Sequence, residues 1–248
     1  MRVYRGVESL PQFNKATVTI GSFDGVHRGH RAIIDRLISD AKESGGESIV
    51  ITFEQHPRVV LGHGAGLRLL TTLEEKISLL EELGVDNLIV IPFDREFSLL
   101  SYSEFVTRYL SEMLHISTLV VGYDHHLGRN NEGRYNELLS LSTRLGFNLS
   151  RVDELRSIDG ANLSSTVIRS MVARGDMDGA RVALSNPYMI FGQCDSDGRV
   201  WVTTPLKLIP RMDSYHVEIN GKSDILTIDN NGIMRCSTEN NHVAIKFL

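Results

Sequence analysis

The sequence predicts an α/β fold: a Rossmann-like parallel sheet followed by a small antiparallel β domain, read as a truncated barrel. Three observations carry this expectation. Short apolar runs rich in β-branched residues alternate with helix-length amphipathic stretches through the first three-quarters of the chain. That rhythm stops at Pro187. Beyond it, β-like runs are separated by the dipeptides Asp197-Gly198, Asn220-Gly221 and Asn231-Gly232, which tolerate positive φ and favour hairpins. The expected division is an α/β domain over residues 1–186 and a β domain over residues 187–248.

The elements follow in order. TVTI (17–20), SIVITF (48–53), NLIVIPF (87–93) and TLVVG (118–122) read as strands buried on both faces, and NLSRV (148–152) as a weaker fifth. Between them, residues 29–43 set Ile33, Ile34, Leu37 and Ile38 on one helical face. Residues 72–83 do the same with Ile77, Leu79, Leu80 and Leu83, and Gly84 follows as a stop. Residues 103–114 and 132–145 complete the helices. Strand, helix, strand at this spacing means a parallel sheet covered by helices, with ligands bound beyond the carboxyl ends of the strands. In the tail, YHVEI (215–219), ILTI (225–228) and VAIKF (243–247) supply strands. A β unit this small is marginal alone, so packing on the first domain is expected.

Composition narrows the function classes. The chain has 248 residues, 42% of them hydrophobic, and a formal net charge of −5. That balance gives no global basic field for a nucleic-acid backbone, so no nucleic-acid partner is expected. No apolar run approaches the ~18 residues that span a bilayer, and the N-terminus MRVYRGVESLPQF lacks an apolar signal core. A cytoplasmic protein without a membrane partner is expected. Cys194 and Cys236 are the two cysteines and read as reduced thiols, with a disulfide as the alternative. Oligomeric state is not legible.

The stretch GSFDGVHRGH (21–30) holds three glycines and two histidines where a strand gives way to a helix. Gly21 and Gly25 permit tight turns and close backbone approach, and Gly29 lets the first helical turn pack closely. His27 and His30, three apart, can share a face at the helix entrance. A helix N-terminus presents unpaired N–H groups and the positive end of a dipole, which suits phosphate. A glycine turn with surface histidines is the plain alternative. Cation-capable residues in a first turn oppose the dipole, however, where an acid would stabilise. Zinc at His27 and His30 lacks a third ligand of matching spacing.

SSTVIR (164–169) repeats this logic. Ser164 and Ser165 precede an apolar helical pattern, as caps do in any protein. Arg169 falls in the first turn, and helical side chains lean toward the N-terminus, so its guanidinium reaches back over the hydroxyls. Hydroxyls, free N–H groups and an arginine fork on one spot suit phosphate oxygens. Two such helix starts in one open sheet point to a triphosphate between them.

HxGH (27–30) with a later SSTxIR (164–169) resembles the nucleotidylyltransferase superfamily. TFEQHP (52–57), FDREFSLLSYSEF (93–105) and VGYDHHLGRNNEG (121–133) are similar to the adenylyltransferase module of prokaryotic FAD synthetases, usually bifunctional riboflavin kinase/FMN adenylyltransferases. The likeness covers residues 15 to 187. It implies the reaction of ATP with FMN to give FAD and pyrophosphate, with Mg2+. Carried over residue by residue, it puts Gly21, Ser22, Phe23 and Gly29 at the ATP phosphates. His27, His30 and Arg169 become the catalytic set, and Ser164 and Ser165 hold the phosphate tail. Asp124 lies near the nucleotide or metal. Phe53, His56 and Pro57 border FMN. No metal-ligand set is implied, since substrate phosphates and water can hold magnesium.

The sequence departs from the family at Gln55, where proline is usual, and at His125 and Leu127, where aromatic residues are usual. Residues 187–248 hold no G-x-PTAN word of the kinase half, so FMN adenylyltransfer without riboflavin kinase activity is expected. The alternatives are a nucleotidyltransferase with another phosphate acceptor, or a non-catalytic regulator that binds flavin or nucleotide.

Overall fold

The computed structural model describes residues 1–154, 164–238 and 240–248, the side chain of Asn130 excepted. The chain groups into two compact units, neither of them continuous. The first comprises Met1–Phe23, Gly29–Gly66 and Leu80–Leu155, and the second Asp24–Arg28, Leu67–Leu79 and Arg156–Leu248.

The first unit is built on six parallel strands: β1 (Arg2–Arg5), β2 (Thr17–Ile20), β3 (Ser48–Phe53), β4 (Asn87–Ile91), β5 (Thr118–Val121) and β6 (Asn148–Arg151). They lie in the order β1-β4-β3-β2-β5-β6. Every residue of β2, β4 and β5 is buried, as runs such as TVTI and NLIVI require of strands covered on both faces. The edge strand β1, RVYR, is mostly exposed and carries arginines at both ends. It was not legible in the sequence, because four residues with two charges show no apolar run.

Helix α1 spans Arg28–Ser44 and buries Ile34, Leu37 and Ala41. The one-turn α2 is Pro57–Val60, with proline at its first position. Helix α3 is Leu73–Glu82, one residue inside the expected span at each end. Helix α4, Tyr102–Phe105, starts on a capping box of Ser101 and Glu104 and continues as a π-helix over Val106–Met113. That wide coil is the physical surprise in this unit, since the apolar spacing of residues 103–114 does not distinguish it from an α-helix. Helix α5, Tyr135–Leu145, ends at Gly146 in the left-handed region. The core joins Val18, Ile20, Ile49 and Ile51 of the strands to Leu110 and Leu138 of the helices.

The second unit contains α6 (Ser165–Ala173), α7 (Met177–Leu184) and a closed barrel. Its strands are β7 (Met189–Cys194), β8 (Arg199–Val202), β9 (Asp213–Ile219), β10 (Lys222–Ile228), β11 (Met234–Arg235) and β12 (His242–Phe247), ordered β10-β11-β8-β7-β12-β9. Closure by β9 pairing with β10 removes free edges. The expected turns are present. Asn220 and Gly221, at φ 49° and 82°, join β9 to β10, and Gly198 and Gly232 take positive φ in the other two. Cys194 and Cys236 are free thiols whose Sγ atoms lie 3.8 Å apart.

The barrel is tied to residues 67–79 rather than standing alone. Leu69 N–H donates to the Leu206 carbonyl at 2.7 Å, and the Leu69 carbonyl accepts from Leu208 N–H at 2.9 Å. Leu70 is buried with Ile168, Ile190 and Phe247. Lys207 and Glu75, both wholly buried side chains, form an ion pair at 2.6 Å.

Candidate active site

Beyond the carboxyl ends of β2, β3, β4 and β5 the first unit holds a cavity of about 870 Å³. Its position follows from the strand order: the chain runs outward from β2 to β3 on one side and to β5 on the other, and such a reversal leaves a crevice. Ile20, Gly21 and Ser22 line one wall; Phe53, His56 and Pro57 another; His125, His126 and Leu127 a third. Phe93, Phe97 and Phe105 add further aromatic rings. Phe53 packs edge-on to Phe93 with centroids 5.0 Å apart, and Phe93 to Phe97 at 5.6 Å. Phe97 meets Phe105, and Phe105 stacks on Tyr109 at 5.4 Å, an arrangement reached from the start of the π-helix. A flat, polarisable ring system suits such a wall.

Four of the wall residues are histidines: His56, His63, His125 and His126. His56 caps α2, its side chain accepting from Arg58 N–H. His125 Nε2 is sealed from solvent and takes no hydrogen bond among the described residues, although the residue as a whole is half-buried. Burial lowers the His125 pKa to about 4, and the adjoining His126 pushes the same way, so the ring is neutral at pH 7. His125, His126, Phe93 and Phe97 are wall residues that the sequence alone does not single out; for the two phenylalanines the FDREF word is the available signal.

The glycine-rich turn passes through left-handed backbone at Phe23 (φ 46°), Gly25 (φ 83°) and Val26 (φ 42°). For the β-branched Val26 this is a strained conformation, of a kind that collects at ligand-holding turns. His30 packs edge-on to Phe23 at 5.2 Å within the first unit. His27 is buried in the second. The first turn of α1 has no acid, nor does that of α6, whereas α3, α5 and α7 begin with Glu74 and Glu75, Glu137 and Asp178. An N-terminus without acidic neighbours keeps its positive end available to an anion.

In the second unit the DGVHR segment meets the start of α6. Ser164 is the N-cap, its Oγ accepting from Val167 N–H at 3.4 Å, so the capping role foreseen for it is real. Leu163, just before it, lies outside the described residues. Ser165 Oγ donates to the Asp24 carbonyl at 3.2 Å. Arg169 Nη2 donates to the Asp24 carboxylate at 2.6 Å, and Nε to the Arg68 carbonyl at 2.7 Å. The sequence reading gave Arg169 to phosphate alone; the structure adds an acid partner 145 positions away that no local pattern could reveal. Lys76, also buried, has its pKa pulled down to about 8 by desolvation, with the Asp24 charge acting in the opposite sense.

Asp124 is exposed in the loop after β5. Gly29 opens α1. Among the described residues, no three His, Cys, Asp or Glu side chains converge to hold a metal ion, and no helix is long and apolar enough to cross a membrane.

Comparison with known proteins bears on these features. The FAD synthetase family matches residues 10–167. A protein of Escherichia coli K12 named bifunctional riboflavin kinase/FMN adenylyltransferase is 32% identical over 232 residues, 89% of this chain and 74% of that relative. A protein of the same name from Listeria monocytogenes is 33% identical over 221 residues, 84% of this chain and 69% of that one. A crystal structure described as a macrolide-efflux protein from Streptococcus pneumoniae superposes with a TM-score of 0.84 at 20% identity, covering 100% of this chain and 98% of that one. That last likeness speaks to the fold alone.

Proposed function

The chain belongs to the FAD synthetase family, a nucleotidyltransferase enzyme by that membership, and we propose that it transfers AMP from ATP to FMN, giving FAD and pyrophosphate, without riboflavin kinase activity. The observation that carries the reading is the junction in the second unit where the DGVHR turn and the first turn of α6 are bonded through Ser165 and Arg169. Neither of these two helix starts has an acid in its first turn, and each brings basic side chains.

In this reading the FMN phosphate oxygen attacks the α-phosphorus in line and pyrophosphate leaves. The nucleophile arrives charged, so neither a covalent enzyme intermediate nor a strong base is required. Positioning and charge stabilisation do the catalysis. His30 donates to the charge developing at the α-phosphate, His27 assists, and Arg169 takes the departing pyrophosphate. Gly21, Ser22, Phe23 and Gly29 let backbone N–H groups approach the phosphates, with Ser164 and Ser165 holding the tail and Asp124 near the nucleotide. The aromatic cavity, with Phe53, His56 and Pro57 on its wall, takes the flavin ring. Magnesium would travel on the triphosphate oxygens and water, neutralising their charge; the donor set around Arg169 suits an already metal-bound phosphate, because Asp24 is engaged by Arg169 and Thr71.

Absence of kinase activity rests on the barrel strands, which contain no PTAN word. The barrel then has a structural role. The experiment incubates the protein with magnesium, ATP and either FMN or riboflavin and separates the flavins by chromatography. FAD from FMN, with no FMN from riboflavin, is expected. FMN from riboflavin would overturn the kinase part; no product from either would favour a binding regulator.

A further inference from the structure

Asp24 sits in the middle of the opening motif, yet it is 3% exposed and its carboxylate faces protein rather than solvent. Each oxygen has a distinct engagement. Oδ1 accepts from Thr71 N–H at 3.0 Å and from Thr71 Oγ1 at 3.3 Å, while Oδ2 accepts from Arg169 Nη2 at 2.6 Å. Thr71 Oγ1 accepts in turn from Gly25 N–H at 3.0 Å. Thr71 thereby holds one carboxylate oxygen with two donors while the other oxygen meets the arginine.

The guanidinium is held along one edge only. Nε is bonded to the Arg68 carbonyl and Nη2 to Asp24, which sets both the plane of the group and its rotation. No group among the described residues takes a hydrogen bond from Nη1, and the side chain retains 16% exposure. An arginine fork anchored this way presents its remaining edge in a fixed direction, with little rotamer freedom left to lose on binding.

We infer that Asp24 is the positioning residue for Arg169: it aims the guanidinium at a phosphate ligand without touching that ligand. The inference rests on the reading of Arg169 as a phosphate contact. A buried carboxylate beside a phosphate site would by itself repel the anion. Here Arg169 is paired with it, and the buried Lys76 lies close enough to feel its charge. Asp24 is buried and both its oxygens are already engaged by protein donors, which suits a residue that orients its partner.

The test is a double-mutant cycle read by calorimetric binding of ATP and of inorganic pyrophosphate, which needs no turnover. Asp24→Asn keeps the shape and removes the charge-assisted bond; affinity is expected to fall about 10- to 100-fold, the scale of a hydrogen bond to a charged group. In an Arg169→Ala background the same change is expected to cost less than about 2-fold, since the group it aims is gone. Thr71→Val, which strips one anchor but leaves the Asp24–Arg169 bond, should lower the melting temperature while keeping affinity within about 3-fold. Equal and additive losses in both backgrounds would overturn the inference, as would Asp24→Asn and Thr71→Val behaving alike. Should Asp24→Asn not fold, Arg169→Lys carries the test: it retains the charge but loses the fork, and unchanged affinity would overturn the inference. If the unmutated protein binds neither ATP nor pyrophosphate, the functional reading fails as well; if it binds both and only the cycle fails, the reading stands and the positioning role does not.

Discussion

Replacing Lys207 by methionine removes a charge from the most enclosed polar cluster in the second unit. All three ammonium protons are used: Nζ donates to the Leu70 carbonyl at 2.7 Å, the Met189 carbonyl at 2.6 Å and Glu75 Oε2 at 2.6 Å. The cation also lies 4.4 Å from the centre of the Tyr188 ring. Glu75 meanwhile caps α3 through Thr72 N–H at 2.8 Å and receives Phe191 N–H of β7 at 2.8 Å. Burial pushes the Lys207 pKa down and the Glu75 carboxylate holds it up, so the pair stands or falls together. Lys207→Met leaves that carboxylate buried with no counter-ion, a loss of about 3–5 kcal/mol, and strands two carbonyls at about 1–3 kcal/mol each. These terms overlap, so about 4 kcal/mol is expected, or a melting shift of about 8–16 °C for a chain of this size. Trp201, the single tryptophan, lies in β8 and reports on the barrel. Urea unfolding followed by its fluorescence is the assay, and the double variant Lys207→Met/Glu75→Leu should lose less than the two single losses combined. A loss below about 1 kcal/mol would refute the reasoning, because it would mean the cluster is not a mutually dependent buried network.

Two further outcomes follow from the site. His30→Ala should lower kcat for FAD formation about 100-fold, the usual cost of one lost donor to a developing charge, with an unchanged circular dichroism spectrum; undiminished turnover would remove His30 from the catalytic set. His125→Phe concerns pH. With its folded pKa near 4 and an unfolded value of 6.5, the unfolded chain binds a proton first on acidification, so stability is lost as pH falls from 6.5 towards 4, by up to about 3 kcal/mol. The variant should flatten that slope between pH 7 and 5 in urea titrations, and an identical slope would contradict the burial argument.

What the sequence made legible was what local chemistry encodes. TVTI and NLIVI announce buried parallel strands, Asn220-Gly221 announces a hairpin, and Ser164 announces a cap; each depends on residues within a few positions of itself. The cavity wall was partly legible, through TFEQHP, but Phe93, Phe97 and His125 join it only because β4 and β5 end at the same edge of the sheet. The partners of Arg169 and Lys207 were hidden for the same reason. Asp24 and Arg169 are 145 positions apart, and Glu75 and Lys207 are 132 apart; such pairs obey no periodicity and are set by topology. The π-helix over Val106–Met113 escaped because its apolar spacing also fits an α-helix.

The most direct measurement supplies ATP labelled at the α-phosphate, and separately at the γ-phosphate, together with FMN and magnesium, and follows where each label goes. Adenylyl transfer predicts the α label in FAD and the γ label in pyrophosphate, in equal amounts. Label from the γ position on a flavin, or no labelled flavin at all from an otherwise folded protein, would contradict the account.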